Sequence, residues 1–292
     1  VTGVQTCALP IWSASASLGT GTSLTMANDV PVPSEADADR HRRVADNLSR
    51  LQSKVLKEFR KAVSKGFPRE CPLCGHHGQF APAGMPPRLD SQCPSCDSRE
   101  RHRLFKLWLD RDQRITQAHK VLHFAPEPEF SKLFRGLAGD YVTADLRPRR
   151  VDLALNIESL DLADASFDVI IAHQILEHVD HHKALAECFR CLRPGGFLIM
   201  TTPIIEAWAT TYENPDATSE VQRFVHFGQG DHVRFFGRDI RDDMAAAGFT
   251  REEVVSVEPD VSRYGLVRGE TLFILTKPAK AATRAPIRKK KG

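Results

Sequence analysis

Four of the seven cysteines fall into two pairs, Cys71-Pro-Leu-Cys74 and Cys93-Pro-Ser-Cys96, with eighteen residues between them. Two residues between thiolates let one tight turn aim both sulfurs at a single tetrahedral ion, and two such turns complete a shell of four. The expected ion is Zn2+. A shell closed by four thiolates leaves no position for water, so the metal is expected to be structural and to hold together a module too small to bury much core. His76 and His77 on the first turn are read as exposed, and Cys188 and Cys191 as buried thiols. With no recognisable secretory signal, this cysteine usage implies a reducing compartment, and a cytoplasmic location is the expectation.

A second concentration of reactive side chains closes the stretch 203–237, in Phe227-Gly228-Gln229-Gly230-Asp231-His232-Val233-Arg234. The stretch reads as one long loop carrying Trp208, Tyr212, Phe224 and Phe227, and loops of that length inside a domain are usually functional. Asp231 or His232 is expected to take or hold a substrate proton, with Arg234 positioning an anionic group. The alternative is a structural Asp–Arg pair with a capping histidine. Glu177 and His178, at a helix entrance, are read as structural or capping residues.

The elements that must position these groups fall into two parts. Apolar residues make up 41% of the 292 and charged residues 26%, with a net charge of +3, as in ordinary globular chains. No run of some 20 apolar residues is present, which argues against a membrane span. Val1-to-Trp12 reads as foreign to the rest, resembling translated adapter sequence, and Met26 as a candidate start, so residues 1–35 are expected to be disordered and at least partly non-native. Val44, Leu48, Leu51, Val55, Phe59 and Val63 recur at steps of three and four, predicting a long helix ended by Gly66 and Pro68. The cysteine module follows at 71–97. Leu104, Phe105, Leu107, Trp108 and Leu109 mark a second helix, with Ser98 as its expected N-cap.

From residue 119 to 277 short apolar runs alternate with helical stretches. Strands are predicted near 120–125, 140–144, 152–155, 167–173, 196–202, 252–257 and 270–276, and helices near 128–137, 179–192 and 237–247. That alternation predicts an α/β domain with a mostly parallel sheet covered on both faces. The last two strands, joined by a loop with Pro259, Tyr264 and Gly265, are expected to form an antiparallel edge pair. In open parallel sheets ligands bind at the carboxyl ends of the strands, where an acid at the tip of the second can hold ribose hydroxyls. Those ends fall at Val121-Leu122-His123-Phe124-Ala125-Pro126-Glu127, at Ala144-Asp145-Leu146, at Leu155-Asn156-Ile157-Glu158 and at Ala172-His173-Gln174.

The run from Phe167 to Gly196, with its FDVI, LEHV and LRPGG segments, resembles class I S-adenosylmethionine-dependent methyltransferases of the methyltransferase-11 type. Together with the two CPxC turns, the SRERHR, VLHFAPE and FGQGDHVR segments resemble a bacterial subfamily with a zinc-binding N-terminus. The resemblance covers roughly residues 70–277 and implies a Rossmann-like seven-stranded sheet and S-adenosylmethionine as cofactor. By that similarity Asp145, with Leu146 beside it, holds the ribose. Asn156 and Ile157 border the adenine, and His173 and Gln174 line the pocket near the reacting sulfur. His123, Phe124, Ala125 and Glu127 take the place of an acid-x-Gly-x-Gly turn. Small Ala125 permits close approach, while Pro126 fixes φ and removes a donor, so an altered hydrogen-bond pattern is expected.

The resemblance implies methyl transfer to an O or N acceptor on a small molecule or saccharide-type metabolite. An RNA methyltransferase is the alternative partner reading, because 277–292 is basic without an acid and is expected to be a disordered tail open to RNA. Against it, Thr201-Thr202-Pro203-Ile204 stands where an Asn/Asp-Pro-Pro-Tyr/Phe motif would. A non-catalytic S-adenosylmethionine-binding module is the third reading, prompted by the glycine-free turn.

Overall fold

The computed structural model describes residues 34–62, 67–84, 88–147 and 150–279. The expectations for 1–12, for Met26, for Val63 and Gly66 and for the tail beyond 279 lie outside those residues. Helix α1 spans Glu35–Ala62, followed by four short strands, β1 (Arg69–Glu70), β2 (His77–Gly78), β3 (Ala81–Ala83) and β4 (Arg88–Gln92). Helix α2 (Glu100–Arg111) leads into β5 (Lys120–Phe124), α3 (Pro128–Leu137), β6 (Asp140–Asp145), β7 (Leu153–Ala154) and β8 (Phe167–His173). A single 3-10 turn at Leu176–His178 precedes α4 (His181–Cys191) and β9 (Leu192–Thr201). The remainder holds β10 (Tyr212–Glu213), α5 (Glu220–Phe227), β11 (Arg234–Phe235), α6 (Ile240–Ala246), β12 (Thr250–Val255), α7 (Asp260–Tyr264) and β13 (Thr271–Thr276).

Seven strands form one sheet in the order β12-β13-β9-β8-β5-β6-β7. Pairing is parallel from β9 through β8, β5 and β6 to β7, and β13 runs antiparallel to both β9 and β12. This is the Rossmann-like methyltransferase fold, with the reversed strand inserted beside the edge.

Alternation along each strand divides the core in two. Leu122, Ile170, Ala172, Leu198, Met200, Phe273 and Leu275 face α4 and α6. Val121, Val169, Ile171, Phe197, Ile199, Leu272 and Ile274 face the opposite way, toward α2 and α3. Each fully buried aliphatic side chain contributes about 1.5–3 kcal/mol, so both faces hold the sheet. Leu104, Phe105, Leu107 and Trp108 of α2 belong to that second layer, so packing crosses the chain position 118/119.

Several local expectations need correction. The stretch 203–237 is not one irregular loop, because it holds β10, α5 and β11. Ser219 and Gln222 form a capping box at the start of α5, and Gly228 closes it at φ +75°. Phe227 and Phe235 pack with Trp208 and Tyr212 in a small core of their own. The connection between the last strands contains the short helix α7. Ser98 is not the N-cap of α2; its hydroxyl lies 3.3 Å from Cys71 Sγ, and helix α2 starts two residues later. On α1 the stripe of Val44, Leu48, Leu51 and Val55 is exposed.

Candidate functional site

The central parallel strands β5 and β8 lie side by side, and their connections leave to opposite ends of the sheet, which opens a crevice at their carboxyl ends. Both strands end in a residue with left-handed backbone, Ala125 at φ +46° and Gln174 at φ +54°. The Ala125 amide donates to Ala144 O at 2.8 Å and the Gln174 amide to Thr201 O at 2.8 Å, so neighbouring strands hold both turns. A left-handed non-glycine residue costs about 1–3 kcal/mol, and such strain concentrates at ligand sites.

Above these turns lies a cavity of about 450 Å³. Phe124, Ala125, Asp145, Leu146, Asn156, Ile157 and Gln174 line it, so seven of the expected cofactor-side residues converge there. Arg147, Leu155, Ile175, His178, Val179 and Asp231 complete the wall. Asp145 accepts from the Arg147 amide at 2.9 Å through Oδ1. Asn156 Oδ1 takes the Glu158 amide at 3.0 Å, which fixes the side chain at the turn.

His123, Glu127 and His173 do not line this cavity. Strand parity explains the two histidines: His123 and His173 share the face of Val121, Val169 and Ile171, toward α2 and α3, and so point away from the crevice. There they join a buried polar group. Glu127 Oε1 lies 3.1 Å from His102 Nε2 on α2, and its Oε2 lies 3.6 Å from His123 Nε2. His123 Nδ1 is 2.9 Å from the Tyr141 hydroxyl, and His173 packs edge-on to Phe105 with ring centres 4.6 Å apart. Burial alone would raise the Glu127 carboxyl, but the facing His102 and His123 imidazoles outweigh it and hold it well below the usual range. Burial pushes His173 down to about 3, so it is neutral at pH 7.

The three expected catalytic residues separate in space. Asp231 stands at the cavity rim with an exposed carboxylate, 3.6 Å from His178 Nδ1. His232 is 5% exposed and packs edge-on against His178, with ring centres 4.7 Å apart. Burial, reinforced by His178, pushes it down to about 4. Arg234 is buried, lines the neighbouring cavity and already has partners. It pairs with Glu213 and donates to Leu176 O at 2.8 Å and to Val179 O, bracing the turn after β8. Glu177, on that turn, is 1% exposed and accepts from the Thr202 hydroxyl at 3.0 Å; burial raises its carboxyl above the ordinary range.

The four expected metal-ligating cysteines come together. Cys71 and Cys96 sulfurs are 3.6 Å apart and those of Cys74 and Cys93 are 3.7 Å apart, with all four atoms within 4.8 Å of one another. A tetrahedron with ~2.3 Å metal–sulfur bonds has an edge of about 3.8 Å, which those separations match. The two turns repeat one geometry: Gly75 N donates to Cys71 O at 2.8 Å and Asp97 N to Cys93 O at 3.0 Å, with φ +75° and +57°. Cys188 and Cys191 are buried thiols in the sheet's core, and no metal-ligand group among the described residues includes them.

Arg103 is the residue that sequence reasoning passed over. It is fully buried and donates to Ser98 O and Ser91 O on the module side, at 2.7 and 3.1 Å. It also donates to Tyr264 O and Gly265 O on the sheet side, both at 2.7 Å, while stacking 4.6 Å from the Phe80 ring centre. Its signal was the last arginine of the SRERHR segment, which falls one turn before Leu107 on the apolar face of α2.

Residues 116–200 match the model of a family described as a methyltransferase domain. A Mycolicibacterium smegmatis protein named as a probable S-adenosylmethionine-dependent methyltransferase is 45% identical over 73 residues, 23% of this chain and 28% of that protein. A Mycobacterium tuberculosis protein of the same description is 40% identical over 57 residues, 19% of this chain and 21% of its own length. The chain thus spans under a third of the length of these relatives. A solved S-adenosylmethionine-dependent methyltransferase from Mesorhizobium loti aligns at TM-score 0.43 and 14% identity, covering 58% of this chain and 94% of that one. The similarity in sequence is to a methyltransferase domain and lies within the sheet, over residues 116–200.

Proposed function

We propose that the chain transfers a methyl group from S-adenosylmethionine to an oxygen or nitrogen acceptor on a small molecule or saccharide-type metabolite, and that a structural Zn2+ organises its cysteine module. The observation that carries the reading is the convergence of Asp145, Asn156 and Ile157 with the left-handed Ala125 around one cavity at the carboxyl ends of β5, β6 and β8. The residues fit the cofactor's chemistry. A carboxylate at the tip of β6 suits a ribose diol, the amide of Asn156 suits an adenine edge, and Ile157, Leu146 and Phe124 supply apolar flanks.

When bound, S-adenosylmethionine supplies an activated methyl group on a sulfonium. The chain's part is alignment and exclusion of water, which dominate when the donor is already reactive. Asp231, exposed at the rim, is the group we assign to take the acceptor's proton, and Arg234 positions the turn that carries His178. Glu127 acts beneath the first turn, holding it in place of the missing glycines. Titrating S-adenosylmethionine into the zinc-loaded protein, then screening acceptors for S-adenosylhomocysteine release, tests the reading. A folded protein that neither binds S-adenosylmethionine nor releases product would end it.

A further inference from the structure

We propose that Glu177, His178 and His232 form a second metal site, distinct from the cysteine centre, that takes a divalent first-row transition-metal ion beside the cavity. One ligand atom from each of the three lies within 4.8 Å of the others. Small side-chain rotations bring such atoms to the ~2.0–2.2 Å that imidazole nitrogens and carboxylate oxygens adopt around a metal.

Two buried atoms lack any partner here. Glu177 Oε1 and His232 Nδ1 are enclosed without a hydrogen bond, in residues that are 1% and 5% exposed. The Thr202 hydroxyl satisfies only Glu177 Oε2; His178 and Arg101 lie near enough for their charge to act on the carboxylate, but among the described residues no lysine or arginine forms a direct ion pair with it. A buried carboxylate without a directly paired cation is costly, and orphaned buried polar atoms are rare in native proteins. A divalent ion answers both.

The backbone holds the two segments in register independently of these side chains. Val233 N donates to Glu177 O at 3.0 Å, and Arg234 binds the carbonyls of Leu176 and Val179 on either side of the turn. Two imidazoles and one carboxylate favour transition metals over Mg2+ or Ca2+, which prefer all-oxygen shells. Three protein ligands leave coordination positions open, and one of the three, His178, lines the cavity.

The site's use deepens the methyltransferase reading and rests on it, whereas the metal site itself does not. A hydroxyl bound to the ion becomes a stronger acid. Its O–H bond breaks with the proton passing to the Asp231 carboxylate, which makes the acceptor an oxygen nucleophile. An acceptor with a second oxygen next to the first would chelate the ion.

Co2+ titration of the full chain, with Zn2+ already filling the cysteine centre, tests the site. One further equivalent is expected, with ligand-field bands of a nitrogen and oxygen shell and no thiolate-to-cobalt charge transfer. Glu177→Gln and the more exposed His178→Ala are each expected to weaken its binding by ~100-fold or more. Asp243→Asn is the control, since His181, His182 and Asp243 form a neighbouring cluster, and it should leave Co2+ uptake unchanged. No further equivalent in the wild type overturns the proposal. So does an equivalent that survives Glu177→Gln and His178→Ala or that disappears in Asp243→Asn. S-adenosylmethionine titrated into the same samples separates the two readings: binding without Co2+ uptake removes only the metal site, and Co2+ uptake without binding removes only the methyltransferase reading.

Discussion

His102 Nε2 lies 3.1 Å from Glu127 Oε1, so the helix that follows the cysteine module touches the turn that ends the first strand of the sheet. That turn has no glycine, and its left-handed residue is Ala125. The contact shows how its shape is kept: the carboxylate two residues on is held from two sides by His102 and His123. His102→Ala should therefore weaken S-adenosylmethionine binding without touching the cavity wall. A loss of about 5–10-fold in calorimetric affinity, roughly 1–1.5 kcal/mol, is the expected size for one buried polar contact. Unchanged affinity in a folded variant would show that the turn keeps its shape alone.

Asp145→Ala should act directly. Loss of a charge-assisted hydrogen bond to the ribose is expected to cost about 1–3 kcal/mol of cofactor affinity, with little change in melting temperature because the residue is only half-buried. Calorimetry and thermal melts on one preparation separate the two quantities.

Stability should begin to fall early in acid. His173 titrates near 6.5 when unfolded and at about 3 when folded, so it binds more protons in the unfolded chain. Its contribution is complete above pH 6.5 and is lost as pH drops from there toward 3. Each such histidine removes about 2 kcal/mol between pH 7 and pH 5. Glu127, held below its ordinary range, adds a loss only below about pH 4.3. Urea melts at pH 7 and pH 5 should differ less for His173→Gln than for the wild type; an equal difference would mean another group carries the acid sensitivity.

Arg103→Lys should uncouple the module from the sheet. A lysine has no planar fork to reach carbonyls on both sides, and a buried cation left short of partners costs about 3–5 kcal/mol. Gly265→Ala should act similarly, because a Cβ there meets Asp90 O at 2.9 Å at a φ of +62°. Both variants are expected to expose residues 71–97 to limited proteolysis before the sheet unfolds. Cleavage no faster than in the wild type would count against Arg103 as the joint.

Metal content offers a separate check on the cysteine centre. One Zn2+ per chain is expected at sub-stoichiometric free metal, released when the thiols are titrated with a mercurial. Cys93→Ala, at a fully buried position, should lose the ion and lower the melting temperature.

The amino-acid sequence by itself determined the sheet. Apolar runs of β5, β8 and β13 are local signals, because a strand buried on both faces must be largely apolar. Cysteine spacing likewise located the four-sulfur cluster, since two turns with two intervening residues can present thiolates in one way. The strand-end positions of Asp145, Asn156 and Ile157 were legible because parallel sheets place ligands there. Which face a strand-end side chain takes was also written in the alternation that sends His123 and His173 away from the cavity, although their nearness to the turn after β5 suggested otherwise.

Tertiary structure alone decided the rest. Arg103 reaches the carbonyls of Tyr264 and Gly265, more than 160 positions along the chain, and a backbone carbonyl carries no side-chain signature. Glu177 and His178 meet His232 because the Val233 amide and the inward-turned Arg234 both brace their loop, and a donor's choice of carbonyl depends on packing that no local pattern encodes.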